Sequence, residues 1–178
     1  MLIATLTWVL ILAVAPMLWA QTPVTKCERL ATPGTYAVDI TVPVNHAGPC
    51  LVIDGPGIHL MSSQPSHIIG NGAGYGILFT ANAQKATMGT GAEFGISDVA
   101  TGIAIKPGAT VSLNFTGSDN LVIQRCHEGI KVESPSAVTL NGGVIPNGTG
   151  IQIDCGAAGI AYEVQGRAFL TGSLTMGH

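Results

Sequence analysis

The chain has 178 residues, room for one domain, with 47% hydrophobic but only 10% charged residues and a net charge of −3. Its seven basic residues are scattered, and no basic stripe interleaved with aromatics supports nucleic-acid binding. Twenty-four glycines and ten prolines, among many Val, Ile and Thr, argue against a helical bundle and predict short strands joined by tight turns.

The first element is apolar. Leu2 to Ala20 carries no charge and ends in Leu18-Trp19-Ala20, before Gln21-Thr22-Pro23 opens a polar stretch. This predicts a secretory signal peptide over 1–20, and hence a secreted, periplasmic or cell-surface protein. A retained anchor is the competing reading, since about twenty apolar residues span a bilayer. The missing basic flank and Pro16 favour cleavage after Ala20. Any membrane contact is expected only through this segment.

Four cysteines follow, Cys27, Cys50, Cys126 and Cys155. An even count in an exported chain predicts two disulfides, and although other connectivities are open, spacing favours Cys27–Cys50 and Cys126–Cys155. No Cys-x-x-Cys and no histidine spacing indicates a metal site. Residues 21–53 read as an N-terminal cap and first coil, and 54–178 as further coils.

Those coils are read from a repeat. Gly-Ile followed by an alternating apolar residue begins at Gly76, Gly102, Gly129 and Gly150, in steps of 26, 27 and 21 residues. Each segment directs two apolar side chains to one side and a variable residue to the other, which is strand periodicity. A second strand aligns as Val111-Ser112-Leu113-Asn114 and Val138-Thr139-Leu140-Asn141, with Ala86-Thr87-Met88 and Ile160-Ala161-Tyr162 as less regular equivalents. A third is expected at Leu121-Val122-Ile123 and Val144-Ile145. Three short strands cannot bury their apolar sides alone. Stacked at about 4.8 Å, each pairs with its equivalents above and below and pools its inward residues in one core. The fold class predicted is therefore all-β, a right-handed parallel β-helix solenoid of about five three-strand coils. Asn114 and Asn141 fall above one another and read as a structural amide stack. Two glycosylation sequons begin at Asn114 and Asn147, the first poorly placed as an acceptor.

The Gly-Ile-x-(Ile/Val) strands and the Val-x-Leu-Asn echo resemble the right-handed β-helix proteins of the pectin-lyase-like superfamily. The opening from Cys27 to Tyr36, with Asp39-Ile40 and Cys50 to Ile53, resembles the start of exported bacterial β-helix proteins. That resemblance implies the fold over roughly 27–165 and leaves activity open, because the fold hosts many functions. The motifs of its enzymes are missing: there is no Asn-Thr-Asp, no Asp-Asp, no Gly-His-Gly and no Arg-x-Pro-x-x-Arg.

One constellation remains. Stacking the four Gly-Ile strands gives two outward columns, Leu78, Ala104, Lys131, Gln152 and Thr80, Lys106, Glu133, Asp154. Lys131, Glu133 and Asp154 are the catalytic candidates, with Lys106, Gln152, Arg125, His127 and Glu128 as binding residues. Adjacent Glu133 and Asp154 would repel, raising one pKa for acid catalysis. In a lyase the two would hold Ca²⁺ while Lys131 or Arg125 takes a proton. No other cofactor is expected. The plainer reading is a solvated face with Lys106 beside Glu133 as a cross-strand ion pair.

The function expected is a non-catalytic exported surface, envelope or carbohydrate-binding module, with a polysaccharide as the partner. The alternative is a polysaccharide lyase or glycoside hydrolase acting on an acidic polymer. Because the C-terminal end reads as another strand and turn without a cap, a homo-oligomer through that coil, or a chain shortened there, is also expected.

Overall fold

In a computed structural model of the chain, the residues described are 21–40, 48–62, 64–89, 91–115, 120–142, 150–164, 167–171 and 174–176. The predicted signal peptide and Val144-Ile145 lie outside them. The described residues contain no helix. In chain order the strands are β1 (Thr22–Val24), β2 (Glu28–Leu30), β3 (Gly34–Val38), β4 (Leu51–Ile53), β5 (Ile58–Met61), β6 (Ser66–Ile69), β7 (Tyr75–Phe79) and β8 (Ala86–Gly89). They continue as β9 (Glu93–Ile105), β10 (Thr110–Phe115), β11 (Asn120–Val132), β12 (Ala137–Gly142), β13 (Gly150–Asp154), β14 (Ile160–Val164), β15 (Arg167–Thr171) and β16 (Leu174–Met176).

These strands wind as a parallel β-solenoid with three faces. The first face is a seven-stranded sheet in the order β1-β3-β5-β8-β10-β12-β15. The other sheet bends, because β9 and β11 each run across two faces. The first half of β9 pairs with β6 and its second half with β7. Likewise the first half of β11 pairs with β13 and its second half with β14. The second face therefore holds β6, the starts of β9 and β11, β13 and β16. The third holds β2, β4, β7, the ends of β9 and β11, and β14. Among the described residues this gives four complete coils with partial turns at both ends, against about five expected.

The bend between the second and third faces is made by two non-glycine residues in the left-handed region, Asp98 (φ 55°) and Arg125 (φ 52°). They interrupt the alternation of β9 and β11 at equivalent places, between the paired residues Ser97–Gln124 and Val99–Cys126.

Inward residues of all three faces meet in one core. On the first face Leu60, Met88, Leu113 and Leu140 align. The second contributes Ile68, Ile96, Ile123 and Ile153 in register. The third contributes Ile53, Phe79, Ile105 and Val132. Each of these is buried, and each such side chain contributes roughly 1.5–3 kcal/mol by leaving water. The glycines of the repeat have a packing cause. A Cβ on Gly102 would lie 2.5 Å from Ile123 Cγ2 and 2.6 Å from the Gly129 carbonyl oxygen. One on Gly76 would lie 2.4 Å from Ile96 Cγ2. The core isoleucines of the second face thus occupy the space that any larger residue would need.

The disulfides are Cys27–Cys50 and Cys126–Cys155, with Cα atoms 4.4 and 4.5 Å apart. Both join neighbouring coils, since Glu28 pairs with Leu51 and Gln124 with Asp154.

The last repeat differs from the expectation. Gly150-Ile151-Gln152-Ile153 does not stack on Gly129-Ile130. It stacks on the second face, with Ile151 over Leu121 and Gln152 over Val122. The place above Ile130 goes to β14, where Tyr162 aligns with Ile130 and Glu163 with Lys131. Ile160-Ala161-Tyr162 is accordingly a third-face strand and not an equivalent of Val138. A step of 21 residues is shorter than the full turn of 26 or 27 seen between Gly76, Gly102 and Gly129. After that step the chain has crossed only the first face and begun the second.

Candidate functional site

Among the described residues, the outward side of the third face carries most of the paired charge. Its columns follow from the register. Tyr75, Thr101 and Glu128 align, as do Leu78, Ala104, Lys131 and Glu163. At the strand ends, backbone bonds from Thr80 to Ile53, Lys106 to Phe79 and Glu133 to Ile105 stack Thr80, Lys106 and Glu133. The structure therefore brings together Lys106, Glu128, Lys131 and Glu133 among the sequence candidates.

Lys131 is the centre. Its Nζ donates to Glu128 Oε1 at 2.6 Å and lies 3.1 Å from Glu163 Oε2. Thr101 Oγ1 donates to the other Glu128 oxygen at 2.8 Å. The Lys131 and Glu128 side chains are only 23% and 21% exposed, so water screens the pair incompletely. Burial would push Glu128 up, but the hydrogen bonds from Lys131 and Thr101, with Glu163 beside them, outweigh it and hold its carboxyl below the usual range. The same bonds to Glu128 and Glu163 push the Lys131 ammonium above the ordinary lysine range.

Lys106 forms a second pair with Glu133 at 2.5 Å, and its Nζ sits 5.4 Å from the Tyr75 ring centroid. The Glu133 hydrogen bond raises Lys106 as well. A third network lies lower on the same edge. Asp54 accepts from Thr80 Oγ1 at 2.5 Å and Asn82 Nδ2 at 3.0 Å, with Arg29 Nε at 3.2 Å. The Thr80 bond, then the Asn82 bond, lowers its pKa.

The remaining candidates are elsewhere. Arg125 grips Asp98 in a bidentate pair, Nε to Oδ1 at 2.8 Å and the second nitrogen to Oδ2 at 2.7 Å, at the corner between the second and third faces. That bond lowers Asp98 and raises Arg125. His127 is exposed beside it. Gln152 and Asp154 belong to the second face, where Asp154 aligns with Gln124 and accepts a bond from the Gly156 N–H at 3.0 Å. Asp154 therefore does not stand above Glu133, and the expected acid pair or Ca²⁺ pair is not formed. Among the described residues no three His, Cys, Asp or Glu side chains are grouped to hold a metal ion.

Seven residues of these networks lay outside the sequence expectation: Arg29, Asp54, Tyr75, Asn82, Asp98, Thr101 and Glu163. Asp98 precedes Arg125 by 27 residues, one full turn, and that interval was the available signal. Glu163 carried none, because the turn that leads to it is longer than the repeat.

Compared with family models, curated proteins and solved structures, the chain matches none. What it shares with β-helix proteins is thus the parallel solenoid itself, and a fold of this kind does not specify an activity.

Proposed function

We propose that the protein is an exported, non-catalytic β-solenoid, a surface, envelope or carbohydrate-binding module with the pectin-lyase-like architecture. In this reading residues 1–20 are its signal peptide and 21–53 its N-terminal cap and first coil. The observation that carries it is the clamp on Lys131. A polysaccharide lyase or glycosidase needs a lysine lowered, or a carboxyl raised, toward neutral pH. Here Lys131 Nζ lies 2.6 Å from Glu128 and 3.1 Å from Glu163, and this pairing pushes Lys131 up and Glu128 down, away from neutral pH. The two disulfides support an oxidising, extracytoplasmic location.

The test is turnover. Protein purified from expression of the full chain is incubated with acidic and neutral polysaccharides, with Ca²⁺ and with chelator, while unsaturated uronate and reducing ends are followed. No release is expected from protein that circular dichroism shows to be folded. Release that disappears in Lys131→Ala or Glu133→Ala would make this face an active site and overturn the reading.

A further inference from the structure

Removal of residues 1–20 leaves a glutamine at the head of the chain. Gln21 is exposed and stands just ahead of β1, whose ladder with β3 begins at Thr22, opposite Tyr36. Among the described residues β1 is the first strand of the first-face sheet, so Gln21 lies at its outer edge. Its side-chain Nε2 donates to Met61 Sδ at 3.2 Å on the exposed surface, and a thioether is a weak acceptor. Three residues further on the chain is fixed: Val24 is fully buried in the core and pairs with Val38.

We propose that Gln21 is a modification site, at which the exported chain closes spontaneously to an N-terminal pyroglutamate. The inference goes beyond the non-catalytic reading and rests on its signal-peptide part, because the reacting amine exists only once the Ala20–Gln21 bond is cut. The α-amino nitrogen attacks Cδ of the same residue and forms a new amide bond. The Cδ–Nε2 bond breaks, and Nε2 leaves as ammonia with a proton from the amine. No oxidant, cofactor or second protein group is needed. Three features favour closure. First, an α-amine titrates at about 7.7–8, well below a lysine ammonium, so part of it is unprotonated and nucleophilic near neutral pH. Second, amine and carboxamide belong to one residue, so the five-membered ring forms without the entropy loss of bringing two groups together. Third, the fold does not resist it. The ring contains only the N, Cα, Cβ, Cγ and Cδ of Gln21, so the Thr22–Tyr36 pairing and the buried Val24 stay as they are. The bond given up is the weak, exposed one to Met61. The product begins the sheet with a neutral lactam in place of an ammonium, and no free amine is left for an aminopeptidase to bind.

The experiment expresses the full chain for export in a bacterial host and analyses the exported protein after incubation at neutral pH. Intact mass, fragmentation of the N-terminal peptide and stepwise N-terminal sequencing are the readouts. The expected product starts at residue 21 and is lighter by one ammonia than the free-amine chain with both disulfides. Fragment ions place that loss on the first residue. The denatured protein yields no N-terminal sequence until pyroglutamyl aminopeptidase is added. Gln21→Asn keeps a carboxamide but cannot close a five-membered lactam, so it is expected to start at residue 21 and to be sequenced directly. A parent chain that starts at Gln21 and keeps its amine free through the incubation would overturn the inference and leave the signal-peptide reading standing. An equally blocked Gln21→Asn would overturn it too, because the block would then belong to another group. A product that keeps residues 1–20, or starts elsewhere, would contradict the cleavage after Ala20, and the inference falls with it.

Discussion

The first and third faces of this solenoid share one core and one strand spacing, yet their outer surfaces follow opposite chemistries. On the first face the outward column is Thr, His, Thr, Ser and Thr, with no carboxylate or ammonium among β1 to β12 of that sheet. On the third face Lys106 meets Glu133, and Lys131 sits between Glu128 and Glu163. The difference follows from how neighbours are stacked. Like residues repeated at strand spacing tolerate one another when they are neutral, whereas charges must alternate in sign or repel. The third face alternates, and in doing so it uses its own charges up. The first face leaves its hydrogen-bonding groups turned toward solvent.

The largest effects should ignore this contrast, because they act on the common core. Phe115→Ala on the first face and Phe79→Ala on the third remove fully buried rings, and each should cost about 3–5 kcal/mol in urea unfolding. If only one of them were costly, the core would not be shared as described. Loss of the Cys126–Cys155 link through paired serines should cost about 2–5 kcal/mol, because it releases the coil that carries Glu163.

Smaller changes separate the faces. Gly102→Ala drives a methyl against Ile123 and the Gly129 carbonyl, and a loss of about 1–3 kcal/mol is expected. Ser112→Ala, half-buried on the first face, should shift stability by less than about 0.5 kcal/mol. Thermal denaturation of the two variants side by side checks both.

The smallest effect is electrostatic, and its sign is fixed. Glu128 is depressed in the folded state, so its contribution is present above the unfolded value of about 4.3 and lost as pH falls through the folded one. Lys131 is raised, so its contribution is full below about 10.4 and lost as pH climbs through the folded value. A stability plateau between these limits is expected, with Lys131→Met lowering it by about 0–1 kcal/mol. A stability gap between parent and Lys131→Met that is present at pH 7 and narrows as pH falls through the acid range would fit the clamp; a gap that does not change with pH would assign the effect to packing.

Much of this architecture was legible because solenoid strands announce themselves by recurrence. The glycines at 76 and 102 recur since Ile96 and Ile123 leave no room for a side chain there. The Val111 and Val138 strands sit in the register their shared motif implies. The same device failed at Gly150, because Gly-Ile-x-Ile is a generic strand pattern. Which face a strand joins depends on how far the chain has travelled around the coil. That slip moved Gln152 and Asp154 onto the wrong face and hid Glu163, the residue that completes the Lys131 clamp. The Lys106–Glu133 pair was legible because both lie in turns of regular length. The Asp98–Arg125 pair shares that length but falls at a bend inside β9 and β11 that alternation alone does not reveal.

The clamp is tested most directly by an NMR pH titration of the Glu128 side-chain carboxyl carbon, in the parent protein and in Lys131→Met. The account predicts a parent midpoint below the ordinary glutamate value and an upward shift in the variant, where burial acts with less opposition. A parent midpoint near neutral pH would contradict it, because Glu128 would then be poised to exchange a proton and the third face would have the chemistry of an active site.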